Sequence, residues 1–162
     1  MSKQQSVFRI TSRTVIARRS GSGKRWVLVC RRPHDWCDYS GMPFGSVEEA
    51  ALHGVPMTKG RLLDRLYWDL DSQENEAPDW RQVRAALGEA ATLWLAFERG
   101  AGSVIAAGRV LRLEVVVEEA IRRGKTDLLD ELCADRTLDE LVPVLASAHP
   151  AARYAAQLAL GS

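Results

Sequence analysis

The spacing of the apolar residues changes near residue 46, and this change narrows the possible folds more than any other feature. In residues 6–19, apolar side chains such as Phe8 and Ile10 alternate with polar ones, which is the pattern of a half-buried strand. After residue 46 the apolar positions recur about every 3.6 residues, which is the pattern of a helix face. The chain has 162 residues and is 46% apolar, which is enough for a substantial core. We therefore predict an α+β protein.

The N-terminal part is predicted to form a β-hairpin or a small antiparallel sheet. Residues 6–19 are interpreted as one strand with one solvated face, and 25–30 as the second strand. A Gly/Ser loop at 20–23 joins the two strands. Residues 34–45 are rich in turn formers and aromatic side chains, and they are expected to form an ordered loop. Residues 1–45 are thus the first predicted region, a basic hairpin followed by an aromatic loop.

Residues 46–162 form the second predicted region, a mainly helical body on which the sheet packs. Ser46 with Glu49, and likewise the residues at 137 and 140, have the spacing of a capping box, which marks a helix start. Residues 104–123 fit a helix, which we favour, but part of this segment alternates well enough to be a strand. We expect the two regions to form one continuous domain.

The last helical segment, residues 141–161, carries a recognisable pattern. Pro143 lies beside the apolar stripe of a first helix, and Pro150 opens a second helix that contains Arg153, an Ala-Ala pair, a leucine and a final glycine. The segment resembles a HEAT-like repeat, although His149 stands where the family usually has an acid. The resemblance implies a C-terminal helix pair that presents a protein-interaction surface and performs no catalysis.

Charge is distributed unevenly along the chain. The first 35 residues carry nine Lys/Arg and one acid, a balance of +8, whereas the other 127 carry thirteen basic and twenty acidic residues, a balance of −7. The net charge of +1 hides this division. Such a basic segment is typical of a surface that binds anions such as nucleic acid. The alternative is that the basic side chains are merely solvated or neutralise the acidic helices of the same chain.

The basic side chains of the hairpin and the aromatic side chains of the loop are the predicted binding surface. Guanidinium groups bind phosphate through paired hydrogen bonds, and exposed Trp and Tyr often dominate binding sites. For the aromatic loop the alternative is a lid packed over the hairpin, and Trp68, Trp80 and Trp94 are predicted core residues. The predicted binding residues are Arg9, Arg13, Arg18, Arg19, Lys24, Arg25, Trp26, Arg31, Arg32, Trp36, Tyr39 and Phe44.

The sequence contains no recognised catalytic motif. Cys30, His34 and Cys37 lie within eight residues, but their spacing is not that of a known zinc site, and a thiol nucleophile needs an oriented base. The GSGK segment at 21–24 lacks the first glycine and the following helix of a phosphate loop. We therefore predict free thiols, no metal, no cofactor and no enzymatic activity.

These features predict a small bacterial interaction or inhibitor protein that binds a protein or nucleoprotein complex, with a nucleic-acid-handling complex as one candidate partner. The leading alternative is a direct DNA- or RNA-binding regulator in which Trp26 stacks on a base. A metal- or cysteine-dependent enzyme is a weaker third class. The chain has no run of 18 apolar residues and no apolar core of a signal peptide, so we expect a cytoplasmic protein without a membrane partner. The sequence leaves the oligomeric state open.

Overall fold

The predicted α+β class is confirmed by a computed structural model, which describes residues 5–19 and 25–161. A five-stranded antiparallel sheet comes first, and nine α-helices follow within the described residues. The strands are β1 (Gln5–Arg9), β2 (Thr14–Arg19), β3 (Arg25–Arg31), β4 (Trp36–Asp38) and β5 (Pro43–Phe44). The helices are α1 (Val47–His53), α2 (Lys59–Asp71), α3 (Trp80–Leu87), α4 (Glu89–Arg99), α5 (Ala101–Gly108), α6 (Leu113–Arg122), α7 (Leu129–Cys133), α8 (Leu138–Leu145) and α9 (Pro150–Leu160).

The chain divides into two compact units, Met1–Leu95 and Ala96–Ser162. The first unit holds the sheet and helices α1 to α3, and the second holds α5 to α9. The predicted organisation as one continuous domain is not tested by this division and stays a prediction. The Gly/Ser loop and Lys24 lie outside the described residues.

The prediction of a single strand over residues 6–19 is wrong, because the chain reverses direction within it. The hydroxyl of Thr11 accepts hydrogen bonds from the backbone N–H of Arg13 (3.1 Å) and of Thr14 (2.9 Å), and this local turn joins β1 to β2. The two strands then pair with each other, with Phe8 opposite Ile16. Alternation is the same in one long strand and in two short ones, so the pattern did not show the turn.

Helices cover both faces of the sheet. Val15 pairs with Val29 on one face, where both belong to an apolar cluster that includes residues of α1. Ile16 and Leu28 alternate onto the opposite face, where they are fully buried and where α2 and α3 pack. The predicted solvated strand face is therefore absent from the described part of β2, and this arrangement forces charged side chains toward the ends of the strands.

The predicted capping residues begin their helices, with one difference. Ser46 accepts from the backbone N–H of Glu49 at 3.1 Å, but the carboxylate of Glu49 accepts from Gly45 and not from Ser46. The other capping box is complete: the backbone N–H of Glu140 donates to the hydroxyl of Thr137, and the backbone N–H of Thr137 donates to the carboxylate of Glu140. Local signals of this kind need no tertiary contact, so the sequence is sufficient to locate them.

In the second unit, the favoured helix over residues 104–123 is present as two helices, α5 and α6, and not as a strand.

A buried arginine links several helix ends within the second unit. Arg136, whose side chain is 4% exposed, donates to the backbone oxygens of Gly108 (3.0 Å) and Leu132 (2.9 Å) and to the carboxylate of Glu140 (2.8 Å). The second unit is thereby held at the end of α5, the end of α7 and the start of α8.

The C-terminal helix pair implied by the HEAT-like resemblance is present as α8 and α9, which pack against each other. Pro143 lies inside α8 and Pro150 is the first residue of α9. None of the helices in the described ranges is both long enough and apolar enough to cross a lipid bilayer.

Candidate anion-binding surface

The described basic residues of the predicted site lie at the two ends of strands β2 and β3. We call the residues near the β1–β2 turn the turn-end group; they are Arg9, Arg13, Arg31 and Arg32. We call those near residues 20–24 the loop-end group; they are Arg18, Arg19 and Arg25. Strand β2 has six residues. At a rise of about 3.3 Å per residue, roughly 20 Å separates the two groups.

Two of the predicted arginines, Arg9 and Arg19, have oxygen partners within the fold. Arg9 forms an ion pair with Glu48 at 3.9 Å, with side chains that are 60% and 72% exposed, so the pair is weak. Arg19 donates to the backbone oxygens of Ala51 (3.0 and 3.1 Å) and Gly54 (2.8 Å), the unpaired carbonyls at the end of α1. Burial, followed by the neighbouring charge of Arg25, lowers the pKa of Arg19. Arg19 thus stabilises the fold, and its guanidinium is not directed at a partner.

The remaining three turn-end arginines line one open groove. Arg13, Arg31 and Arg32 are exposed and, together with Pro33, they surround a volume of about 270 Å³. Backbone hydrogen bonds hold these positions: Arg31 N–H donates to the oxygen of Arg13 at 2.7 Å, and Arg32 N–H to that of Asp35 at 2.7 Å. Within residues 5–19 and 25–161, none of the three forms an ion pair. We call this feature the arginine groove.

The aromatic loop forms a lid over the sheet and not an exposed cluster. Trp36 pairs with Phe44 across β4 and β5, and both pack against the apolar cluster under α1. The hydroxyl of Tyr39 donates to the backbone oxygen of Arg65 at 3.2 Å, and the guanidinium of Arg65 lies 4.9 Å from the centre of the ring. Trp26 is only 4% exposed. These aromatic side chains therefore serve mainly to pack the first unit.

The most exposed tryptophan in the described residues is one that the sequence analysis placed in the core. Trp68 is 59% exposed and Trp94 is 37% exposed, so the prediction is wrong for both, whereas Trp80 is 6% exposed as predicted. The signal was present in the sequence, since Leu62, Leu66 and Leu70 mark the buried stripe of α2 at intervals of four residues. Trp68 lies two positions from Leu66, and at about 100° per residue this is the opposite side of the helix.

The cysteines considered for metal or nucleophilic chemistry lie in a different pocket. Cys30 pairs with Cys37 across β3 and β4, and the thiol of Cys37 donates to the backbone oxygen of Cys30 at 3.3 Å. Burial, followed by the charge of Asp69, raises the pKa of Cys30 to about 11. The thiol is therefore protonated at neutral pH and is not an activated nucleophile. His34 is exposed, and in the part of the chain that is described no group of three or more His, Cys, Asp or Glu side chains could hold a metal ion.

The fold and the groove define an α+β protein with exposed arginines at one end of a helix-covered sheet. No protein-family model, no curated protein and no solved structure matches the chain. Membership of the HEAT-like family therefore stays a prediction, although the helix pair that it implied is present.

A half-buried carboxyl group beside Cys30, that of Asp69, gives a pH-dependent expectation. Asp69 accepts hydrogen bonds from the hydroxyl of Thr14 and, at 3.3 Å, from the amide of Gln73. Burial is the largest influence on its pKa and raises it, and these hydrogen bonds only partly oppose the shift. The pKa of Asp69 is higher in the folded protein than in the unfolded chain. Its favourable contribution to the free energy of unfolding is therefore complete below the unfolded pKa, and it is lost as the pH rises through the folded pKa.

We expect Asp69→Asn to gain stability relative to the wild type as the pH rises, because the amide avoids the buried charge. The measurement is the free energy of unfolding in urea for both proteins between about pH 4 and pH 8, a range that starts near the ordinary pKa of Asp. The difference between the two proteins should grow across this range. Parallel curves would show that Asp69 does not titrate as its surroundings indicate.

Proposed function

We propose that this chain is a non-catalytic interaction protein of the cytoplasm that docks on an anionic macromolecular partner through the arginine groove. The observation that carries the proposal is one groove lined by three exposed arginines, Arg13, Arg31 and Arg32, none of which forms an ion pair among the described residues. Holding three cations together costs electrostatic energy in the free protein. A phosphate or carboxylate group in the groove would reverse that cost through paired hydrogen bonds.

The preferred partner is a complex that handles nucleic acid and presents phosphate or acidic side chains. The net charge of +1 supports local recognition at the groove, because such a charge gives little attraction over the whole surface. The free thiols of Cys30, Cys37 and Cys133 support a reducing compartment such as the cytoplasm.

Direct binding to DNA or RNA is the second candidate. It is favoured by the exposed Arg25 at the loop end, since one phosphate backbone could contact both Arg25 and the arginine groove across roughly 20 Å, the span of β2. Trp26 is too buried to stack on a base in this arrangement, so recognition would be confined to the backbone. Such binding would discriminate poorly between sequences.

A pulldown with the full chain tests the proposal and separates the two candidates. A cell lysate is passed over the immobilised wild type and over a variant with Arg13→Gln, Arg31→Gln and Arg32→Gln, each with and without nuclease. Proteins that stay bound after nuclease but are lost with the variant support docking on a protein. Loss of all captured material after nuclease supports the second candidate, whereas identical capture by wild type and variant contradicts both.

A further inference from the structure

A separate pocket lies at the loop end of the sheet, away from the arginine groove. Its volume is about 530 Å³. Small-molecule sites in proteins typically occupy about 300–1,000 Å³. The lining residues are Arg18, Trp26, Thr58, Lys59, Arg84, Ala85, Ala86, Leu87 and Gly88. The pocket thus has the size of a ligand site, and all of its walls belong to the first unit.

Hydrogen bonds hold the walls of the pocket together. The backbones of Trp26 and Met57 donate to each other at 3.4 and 2.7 Å, which fixes the start of α2 beside β3. Thr58 then caps α2 by accepting from Arg61 N–H at 3.3 Å. The ammonium of Lys59 donates to the backbone oxygen of Leu87 at 2.7 Å, which ties the start of α2 to the end of α3. These three elements therefore form a built cavity.

The charge of the lining has one sign. Arg18, Lys59 and Arg84 are cationic, and no Asp or Glu is among the described residues that line the pocket. The guanidinium carbon of Arg18 lies 5.3 Å from the centre of the Trp26 ring, a cation–π contact at the wall of the pocket. Lys59 also lies in the first turn of α2, which holds no acidic residue, and a cation at this positive end of a helix is unfavourable. An anion in the pocket would offset both the repulsion among these cations and the unfavourable position of Lys59.

We propose that this pocket binds a small phosphorylated molecule. The phosphate would be held by Arg18 and Lys59, since guanidinium and ammonium groups are the usual partners of phosphate. The apolar part of the molecule would contact the wall formed by Ala85, Ala86 and Leu87. This site is additional to the arginine groove and does not depend on the function proposed for that groove.

Calorimetric titration of the full chain with AMP, inorganic pyrophosphate and adenosine tests the proposal. We expect AMP and pyrophosphate to bind and adenosine not to bind, because adenosine lacks the phosphate. Arg18→Gln should lower the affinity for AMP at least about tenfold, which is equivalent to about 1.4 kcal/mol of binding free energy. The matched control is Arg61→Gln, which removes an exposed arginine of α2 that does not line the pocket. The triple variant of the arginine groove should bind AMP as the wild type does.

Several results would overturn the proposal. These are no binding of AMP or pyrophosphate at millimolar concentration, equal binding of AMP and adenosine, and unchanged affinity in Arg18→Gln. Loss of AMP binding in the groove variant would place the phosphate at the other end of the sheet and would equally overturn it. If circular dichroism shows that Arg18→Gln does not fold, Lys59→Gln carries the same test, with the exposed Lys125→Gln outside the pocket as its control.

Discussion

Replacing Arg13, Arg31 and Arg32 together with glutamine is expected to flatten the salt dependence with which the full chain binds a polyanion. Each guanidinium that contacts a phosphate contributes about 0.9 to the slope of log affinity against log salt on duplex DNA, so three contacts contribute roughly 2.7. Affinity at low salt should fall by more than about tenfold, because all three contacts are lost. The measurement is fluorescence anisotropy with a short labelled duplex between about 50 and 200 mM salt.

The control for this experiment must remove the same charge elsewhere. Arg61, Arg81 and Arg109 are exposed arginines outside the groove, and changing all three to glutamine also shifts the net charge from +1 to −2. If the arginine groove is the binding surface, the control variant keeps most of the wild-type slope. Equal losses in the two variants would mean that binding depends on total charge and not on the groove.

The charge pattern of the sequence indicated an anion-binding surface but could not show where each arginine lies. Adjacent strand residues point to opposite faces, so Arg18 and Arg19 separate onto different faces of the sheet. Arg19 then meets the end of α1, about 30 residues away in the sequence, and the sequence contains no signal of that contact. The sequence therefore identified the basic region, whereas tertiary packing decides which of its arginine side chains remain available to bind a partner.

The helical part was easier to predict because its signals are local. Thr58 and Thr137 begin helices as their side chains require, and Gly54 follows the end of α1. The turn around Thr11 was missed because it contains no glycine or proline; it is held by the Thr11 hydroxyl and by the backbone oxygen of Thr14, which accepts from the N–H groups of Ile10 and Thr11. The pocket under Arg18 could not be predicted either, since it requires β3, α2 and α3 to meet.

The second large effect is expected at Gly54, where the end of α1 lies against the sheet. A Cβ atom at this position would be 2.5 Å from the backbone oxygen of Ala50 and 2.6 Å from Cγ1 of Val27. Its φ of −63° suits any residue, so the requirement for glycine is one of space and not of backbone conformation. Neither neighbour can move easily, because one is helix backbone and the other is a fully buried core side chain.

Gly54→Ala should therefore destabilise the first unit by about 3 kcal/mol, because the methyl group must push α1 away from β3. The same displacement would strain the carboxylate of Asp38, which is buried and accepts from the N–H of Val55 at 2.7 Å. The measurement is the free energy of unfolding in urea. Gly60→Ala is the matched control, because its added methyl group would meet no described atom within 4 Å apart from its chain neighbours and the backbone of its own helix, and alanine favours the helix. Equal stability of the two variants would show that α1 does not pack on the sheet as closely as these distances require.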